Sequence, residues 1–216
     1  MEQKTMIETG DEKRCLTPAR TESTQNHGIG VLTAGGDELR LRAQRLSLRE
    51  QMERNHFLLE RLNASSARLI QSLEIGDAFE AVSEIIANLI GSEELAIFHY
   101  CAATHDFSLE WSLGVEADLL QRTASGAGML GRAMQQATSQ FRDRQPQDLL
   151  LPYEKNITAC IALKSGQQPI GAIAIFELLP QKLQLEWADF ELLKFLEIYG
   201  AVAIEFQRLQ KKLVAL

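Results

Sequence analysis

The sequence predicts an α+β fold, in which an antiparallel sheet with flanking helices is preceded by a long helix able to form a coiled coil. Three observations predict this architecture. Residues 37–73 lack glycine and proline and are rich in strong helix formers. Within residues 95–113, apolar and polar side chains alternate over 107–113, which is typical of the half-buried strand of a hairpin. Two apolar strands at 157–163 and 170–176 precede a helix that runs from about Leu185 to the end.

The composition is that of one globular domain with an appendage. The chain has 216 residues, of which 45% are hydrophobic and 24% charged, and its formal net charge is −7. This acidic balance argues against a dedicated nucleic-acid-binding protein. No apolar run reaches the length of a membrane helix, and no signal peptide opens the chain, so we expect no membrane partner and a cytoplasmic location. Cys15, Cys101 and Cys160 have no close spacing, which predicts neither disulfides nor a metal knuckle.

Three segments follow from the changes in composition along the chain. Residues 1–36 contain five glycines among polar residues and no apolar periodicity, so we expect a disordered tail. Residues 37–73 form a long amphipathic helix with seven arginines and five acidic residues. These charges are spaced for pairing along the helix, which favours a solvated surface over a nucleic-acid interface. Residues 74–216 form the folded domain, which holds most of the acidic excess.

The long helix carries an apolar repeat at alternating steps of three and four residues. Its heptad seam consists of Leu41, Arg45, Leu48, Met52, Asn55, Leu59, Leu62, Ser66, Leu69 and Leu73. Leucine dominates this seam, and the polar exceptions weaken a coiled coil while fixing its register. We therefore interpret the helix as a short dimeric coiled coil. The alternative is a single amphipathic helix that packs on its own domain.

The remaining elements are predicted from caps, periodicity and turns. A helix over Asp77–Ile90 begins with a capping-box pattern, Asp77 followed by Glu80, and ends at Gly91. The hairpin over 95–113 is followed by a short helix at 116–122, a glycine cluster and a helix through Gln136. A short strand at 139–142 and a loop at 143–152 lead to the last two strands.

The order of these elements and three local patterns resemble a GAF domain. The patterns are the paired strands of Ile157–Phe176, the glycine turn of Gly126–Ala133 and the start of the last helix at Leu185–Leu193. The resemblance covers roughly residues 70–210. It implies an antiparallel sheet with helices on one face and, on the other, a small-molecule cavity or its remnant. It also implies a sensory or regulatory role.

The marks of several GAF subfamilies do not appear in this sequence. The signature of the cyclic-nucleotide-binding subset cannot be placed, and the Cys-His pair of the bilin-binding subset is missing. Free-methionine sulfoxide reductases, the enzymatic branch of the GAF family, need a cysteine in the glycine turn, where this chain has Met129. The resemblance therefore identifies no cofactor, and we expect neither catalytic residues nor a metal site.

Six residues are candidates for ligand binding: His99, Cys101, Trp111, Met129, Arg132 and Phe141. A strand histidine can meet an acidic ligand, although a hydrogen-bonded structural histidine is the simpler interpretation of His99. Cys101 ends its strand, which would suit a redox sensor. Trp111, Met129 and Phe141 are large enough to line a pocket, or else belong to the core. Around Arg132 the helix amides favour an anionic group.

The function that follows is a non-catalytic sensory or regulatory module that binds a small molecule, dimerises through its helices and passes a signal to a partner protein. The alternatives are a ligand-free interaction scaffold and a redox enzyme of the free-methionine sulfoxide reductase type. The last helix appears in the sequence with two apolar stripes, one for the sheet and one for a partner helix. We therefore expect a parallel homodimer, in which glutamate at Leu62 or Phe206 yields a folded monomer.

Overall fold

The computed structural model describes residues 29–101, 104, 106–116, 120, 128–144 and 151–214, with side chains from residue 37 onward except at Arg144 and Tyr153. The tail predicted at 1–36 lies mostly outside these residues, as do the short helix predicted at 116–122 and the start of the glycine turn. Contacts divide the chain into two units, Met1–Arg49 and Glu50–Leu216. No helix in the described part is long and apolar enough to cross a membrane.

Helix α1 spans Ile29–Ile75 and ends at Gly76, which adopts a φ of 80°. It begins before the predicted start at Asp37, because extending an existing helix adds one hydrogen bond for each residue that is fixed. In the first unit the leucines of α1 from residue 37 onward, Leu41 and Leu48 among them, are exposed. In the second unit Leu69 is buried, and Leu62 and Leu73 pack against the same core.

The predicted heptad seam is therefore divided. Its N-terminal part, through Leu59, is exposed, whereas its C-terminal part covers the helix's own domain. For the second part, the alternative of an amphipathic helix on its own domain is the correct one. Leu62 lies in that part, so Leu62→Glu would disturb the domain core and does not test a dimer.

Helix α2 spans Ala78–Ile85 and continues in a π-helical turn, Ile86–Ile90, which ends at Gly91. The predicted capping box does not form, because the Asp77 side chain makes no cap hydrogen bond. The Asp77 carboxylate instead accepts hydrogen bonds from Arg68 of α1, at 2.8 and 3.3 Å. This ion pair ties the end of α1 to the start of α2.

The sheet has five antiparallel strands in the order β2-β1-β5-β4-β3. The strands are β1 (Leu95–Cys101), β2 (Asp106–Leu113), β3 (Gln140–Phe141), β4 (Ala159–Ser165) and β5 (Gln168–Ile175). The central strand β5 pairs with β1 and β4, so that Ile173 lies beside both Ile97 and Ile161. Strand existence and order along the chain agree with the sequence-based prediction.

Each face of the sheet supports its own apolar core, because successive strand residues point to opposite faces. On one face Leu95, Ile97 and Ile173 join α1, α2 and the C-terminal helices. On the other face Phe98 and Ala172 join helix α3, which spans Gly128–Gln136. We call these the helix face and the α3 face. The predicted α+β architecture, with its long N-terminal helix, is confirmed.

The C-terminal helix is built in three parts. Helix α4 (Trp187–Phe195) continues through a π-helical turn, Leu196–Gly200, into α5 (Ala201–Val214). Its inner residues are Leu192, Leu193, Leu196, Ala203 and Ile204. Its outer apolar residues are Ile198, Tyr199, Val202, Phe206, Leu209 and Leu213. We call the second set the outer stripe. Tyr199 and Phe206, predicted in one seam with Leu192 and Leu196, thus lie on the outer side.

Candidate functional site

The structure separates the six predicted site residues. His99 and Cys101 share the parity of Leu95 and Ile97 on β1 and therefore lie on the helix face. Trp111 and Phe141 pack against the core of that same face. Met129 lies in the core of the α3 face, and Arg132 belongs to the same helix. The six residues therefore do not come together around one ligand.

The two aromatic candidates pack in the domain interior. Trp111 stacks on Phe79 of α2, with ring centroids 6.2 Å apart and planes 6° from parallel. Phe141 meets Phe190 edge to face at 5.0 Å. Met129 is completely buried. For these three residues the core interpretation matches their contacts.

His99 lies beside a cluster of charges that joins α5 to the sheet. Arg208 donates to Glu110 of β2, to Glu205 of its own helix and to the carbonyl oxygen of Ile170. Burial lowers the pKa of His99, and the positive charge of Arg208 lowers it further. Among the described residues, no group of three or more histidine, cysteine or acidic side chains is arranged to hold a metal ion.

A buried carboxylate occupies the start of α3, where an anionic ligand group was predicted. Glu154 ends a short 3-10 helix, Pro152–Glu154, and is 0% exposed. Its Oε1 accepts from the backbone N–H of Leu130 at 3.1 Å, and its Oε2 accepts from that of Leu151 at 3.0 Å. The chain's own side chain thus supplies the anion, because an N–H at a helix N-terminus favours a negative charge. The Leu130 N–H is therefore already paired within the chain, and the binding of a ligand anion near Arg132 stays a prediction.

The two described cysteines lie on opposite faces of the sheet. Cys160 is fully buried on the α3 face, and Cys101 is partly buried on the helix face. Burial raises the pKa of the Cys160 thiol, and the negative charge of Glu154 adds to this effect. Because the thiolate is the reactive form of cysteine, Cys160 has the character of an inert core residue.

A cavity of about 370 Å³ opens on the α3 face, where Pro152 of the 3-10 helix contributes to its wall. Val115, Leu120 and Phe176 supply its apolar side chains, and they pack with the core of that face. Its remaining lining residues are Glu94, Glu116, Pro152, Lys155 and Asn156. We call this space the α3-face cavity. None of the six predicted residues lines it.

One pattern in the sequence marks this region. Pro152 followed by Glu154 is the pattern of a helix start, with proline in the first turn and an acidic residue at the third position. That pattern marks a local turn, but it does not reveal that the carboxylate reaches Leu130, which lies 24 residues away along the chain. The cavity residues come from four separate segments and share no spacing in the sequence.

The comparisons with known proteins show the fold. No family model matches the chain. No curated protein sequence matches it either. The GAF domain of a phosphoenolpyruvate-protein phosphotransferase from Coxiella burnetii is similar in structure, with a TM-score of 0.58 and 14% identity, over 72% of this chain and 96% of that one.

Two further solved structures have the same fold. One is a GAF domain/HD domain protein from Geobacter sulfurreducens, with a TM-score of 0.51 and 16% identity over 65% of this chain and 98% of that one. The other is a free methionine-R-sulfoxide reductase from Neisseria meningitidis in complex with its substrate, with a TM-score of 0.51 and 15% identity over 69% and 93%. The predicted resemblance is thus confirmed as a GAF-like fold.

Proposed function

From its GAF-like fold, we propose that the chain is a non-catalytic sensory module that binds a small molecule in the α3-face cavity. The cavity itself carries this proposal. Its volume of about 370 Å³ falls in the range of small-molecule sites in proteins. It lies on the face of the sheet opposite to α1, α4 and α5, so an occupant would not compete with the packing of those helices.

The lining of the cavity favours a compact and largely apolar ligand with a few polar groups. Val115, Leu120 and Phe176 offer apolar surface. Lys155 and Asn156 can donate hydrogen bonds, and Glu94 can accept them. Such a combination of apolar walls and a few polar groups is typical of metabolite sites.

The placement of the cysteines supports a module without catalysis. The Cys160 thiol is sealed in the core with a raised pKa. Cys101 lies across the sheet from it, so the two sulfurs are not arranged to exchange a disulfide on one face. A redox enzyme of the free-methionine sulfoxide reductase type needs a reactive thiol beside its substrate.

The outer stripe supports a parallel homodimer that passes a signal to a partner protein. Ile198, Val202, Phe206 and Leu209 recur at helical spacing on one exposed surface of the C-terminal helix. Leu41 and Leu48 of the predicted coiled coil are exposed as well. Apolar rows of this kind are buried when two helices associate. Ligand binding on the sheet would then be transmitted through helices shared between two chains.

A ligand-free scaffold remains the second candidate, and one observation favours it. The Glu154 carboxylate already fills the anion position at the start of α3. A domain that supplies its own anion needs no ligand there, and its helices alone would carry the interaction.

Mass spectrometry of molecules extracted from the purified protein tests the sensory function. We expect one small molecule at near-stoichiometric amount in the wild type and its loss in Val115→Trp, which fills the α3-face cavity. Leu113→Trp introduces the same residue at an exposed position two residues earlier and should retain the molecule. Circular dichroism verifies that both variants fold.

Two results would argue against the proposal. If neither extraction nor a thermal-shift screen of metabolites finds a ligand that depends on Val115, the scaffold is the better description. Turnover of free methionine sulfoxide by the purified chain would establish an enzyme instead.

A further inference from the structure

A second cavity, of about 740 Å³, lies among helices of the second unit, apart from the α3-face cavity. Its walls come from α1, from the π-helical turn after α2 and from the segment that leads into α4. Arg61, Lys182, Asn88, Gln181 and Gln184 provide hydrogen-bond donors, and Phe57 provides an aromatic surface. We call this space the Arg61 groove.

Arg61 is fixed in place although it carries a charge. Its side chain is buried, and its Nη2 donates both to Asp189 Oδ1 at 3.0 Å and to the carbonyl oxygen of Leu89. The ring of Phe57 lies 5.5 Å from its guanidinium carbon. Among the described residues both hydrogen bonds of Arg61 use Nη2, so Nε and Nη1 remain as donors for a ligand.

Lys182 places a second positive charge beside the same carboxylate. Its Nζ lies 2.7 Å from Asp189 Oδ2, which also accepts from the backbone N–H of Glu186. Asp189 is 1% exposed, so a single buried carboxylate faces two cations. Glu186, which also lines the groove, is exposed to water, and its charge is therefore screened more strongly.

We propose that the Arg61 groove binds a small organic anion, in which a carboxylate or phosphate is joined to an apolar or planar group. The anion pairs with Lys182 and with the remaining donors of Arg61, because charge-assisted hydrogen bonds to a guanidinium are strong. The amides of Asn88, Gln181 and Gln184 supply further donors. The planar group lies against Phe57 and Leu89, which line the same groove.

The Arg61 groove would be a second ligand-binding site, independent of the α3-face cavity. Arg61 belongs to α1, and Asp189 belongs to α4, so their ion pair joins the N-terminal and C-terminal helices. A bound anion shares Arg61 and Lys182 with Asp189. Its binding energy therefore acts on the contact between these two helices.

Titration with phenyl phosphate, followed by calorimetry on the full chain, tests the proposal. We expect saturable binding that weakens with rising salt concentration, because the contacts are ionic. Lys182→Gln should weaken it by about tenfold or more, and Glu186→Gln, which removes an opposing charge, should tighten it several-fold. Lys194→Gln, an exposed lysine outside the groove, is the matched control and should change nothing.

Further probes test separately the anionic group and the planar group of the ligand. Benzoate presents a carboxylate in place of the phosphate, and its binding at the same residues also supports the site. Phenol or inorganic phosphate binding as tightly as phenyl phosphate would overturn it, since neither joins a charge to a planar group. Equal affinities of Lys182→Gln, Glu186→Gln and Lys194→Gln would overturn it as well. Val115→Trp should leave phenyl phosphate binding intact, because Val115 lines the α3-face cavity and not the Arg61 groove. A failure of the proposed sensory function can therefore be distinguished from a failure of the Arg61 groove to bind anions.

Discussion

The Glu154 carboxylate fills the space in which a β-carbon on Gly128 would lie. Both carboxylate oxygens would be closer to that added atom than any real contact permits. Gly128 also adopts a φ of 69°, which L residues with side chains rarely adopt. The first residue of α3 is thus a glycine for two separate reasons, and only the second concerns its own backbone.

A pair of alanine substitutions separates these two reasons. Gly166 has a similar φ of 64°, but nothing lies within 4 Å of its added β-carbon. We expect Gly166→Ala to cost about 1 kcal/mol of unfolding free energy and Gly128→Ala to cost clearly more, since Glu154 must also move. Urea denaturation measures both. Equal losses would mean that Glu154 adapts without cost.

Glu154→Gln removes the charge and keeps the shape of the side chain. One backbone N–H, that of Leu130 or of Leu151, would then face an NH₂ group in place of an oxygen acceptor. We expect a loss of about 1–3 kcal/mol in the free energy of unfolding. Glu191→Gln, at a surface ion pair, should change it by less than about 0.5 kcal/mol. Higher stability in Glu154→Gln would show that burying the charge costs more than its hydrogen bonds return.

Replacing a leucine by alanine should affect stability differently in the two parts of the predicted seam. Leu69 is 5% exposed in the core, so Leu69→Ala should cost about 2–5 kcal/mol. Leu48 is 59% exposed, so Leu48→Ala should change the stability of the isolated monomer by less than about 0.5 kcal/mol. Thermal unfolding at low protein concentration makes the comparison. A large effect at Leu48 under those conditions would mean that it is covered within one chain.

Phe206→Glu tests the outer stripe as a dimer interface. Phe206 is 42% exposed in the single chain, so a glutamate there is tolerated in a monomer but is unpaired and buried in a dimer. We expect light scattering to give a dimer for the wild type and a folded monomer for the variant. Leu183→Glu makes the same change at an exposed residue outside the stripe and should remain dimeric. A wild type of monomer mass at tens of micromolar contradicts the dimer.

The lowered pKa of His99 predicts a pH dependence of stability. Burial and Arg208 oppose its protonation in the folded chain, with Lys212 adding to Arg208 and with Glu110 and Glu205 acting in the opposite direction. As pH falls below about 6.5, the unfolded chain binds more protons than the folded one, so stability decreases.

The slope of the urea midpoint between pH 7 and 5 measures this effect. His99→Gln should reduce the slope, whereas His56→Gln, at an exposed position on α1, should leave it in place. An unchanged slope in His99→Gln would assign the pH dependence to other groups.

Strand β2 could be predicted because its side chains alternate between a half-buried and an exposed face. Strands β1, β4 and β5 could be predicted because short apolar runs bounded by turns are typical of strands buried on both faces. The C-terminal helix could not be predicted in the same way, because its π-helical turn at Leu196–Gly200 changes the angular step between residues. That turn shifts the phase of the helix, so Tyr199 and Phe206 lie on the other side from the residues with which a regular repeat groups them. A regular repeat of 3.6 or 3.5 residues per turn cannot predict this change of phase.

The candidate site was less accessible to prediction than the fold. Residue type identified His99 and Trp111, and strand parity placed His99 with Leu95 and Ile97. Neither residue type nor strand parity revealed that Met129 lies on the opposite face of the sheet from His99 and Trp111. The groups that line the cavities, Lys155 and Lys182 among them, have no distinctive spacing. Their positions depend on long-range contacts such as the one between Arg61 and Asp189, which are 128 residues apart.

The interior position of β1, between β2 and β5, has a consequence for synthesis on the ribosome. Strand β1 is buried on both faces and pairs with β5, so that Leu95 meets Ile175. At translation rates of about 5–20 residues per second, β1 waits several seconds for this partner. During that time it forms only a hairpin with β2, and one apolar edge remains open to other nascent chains. Stalling translation before Gln168 should therefore leave a chain that aggregates or recruits chaperones, whereas release after β5 should not.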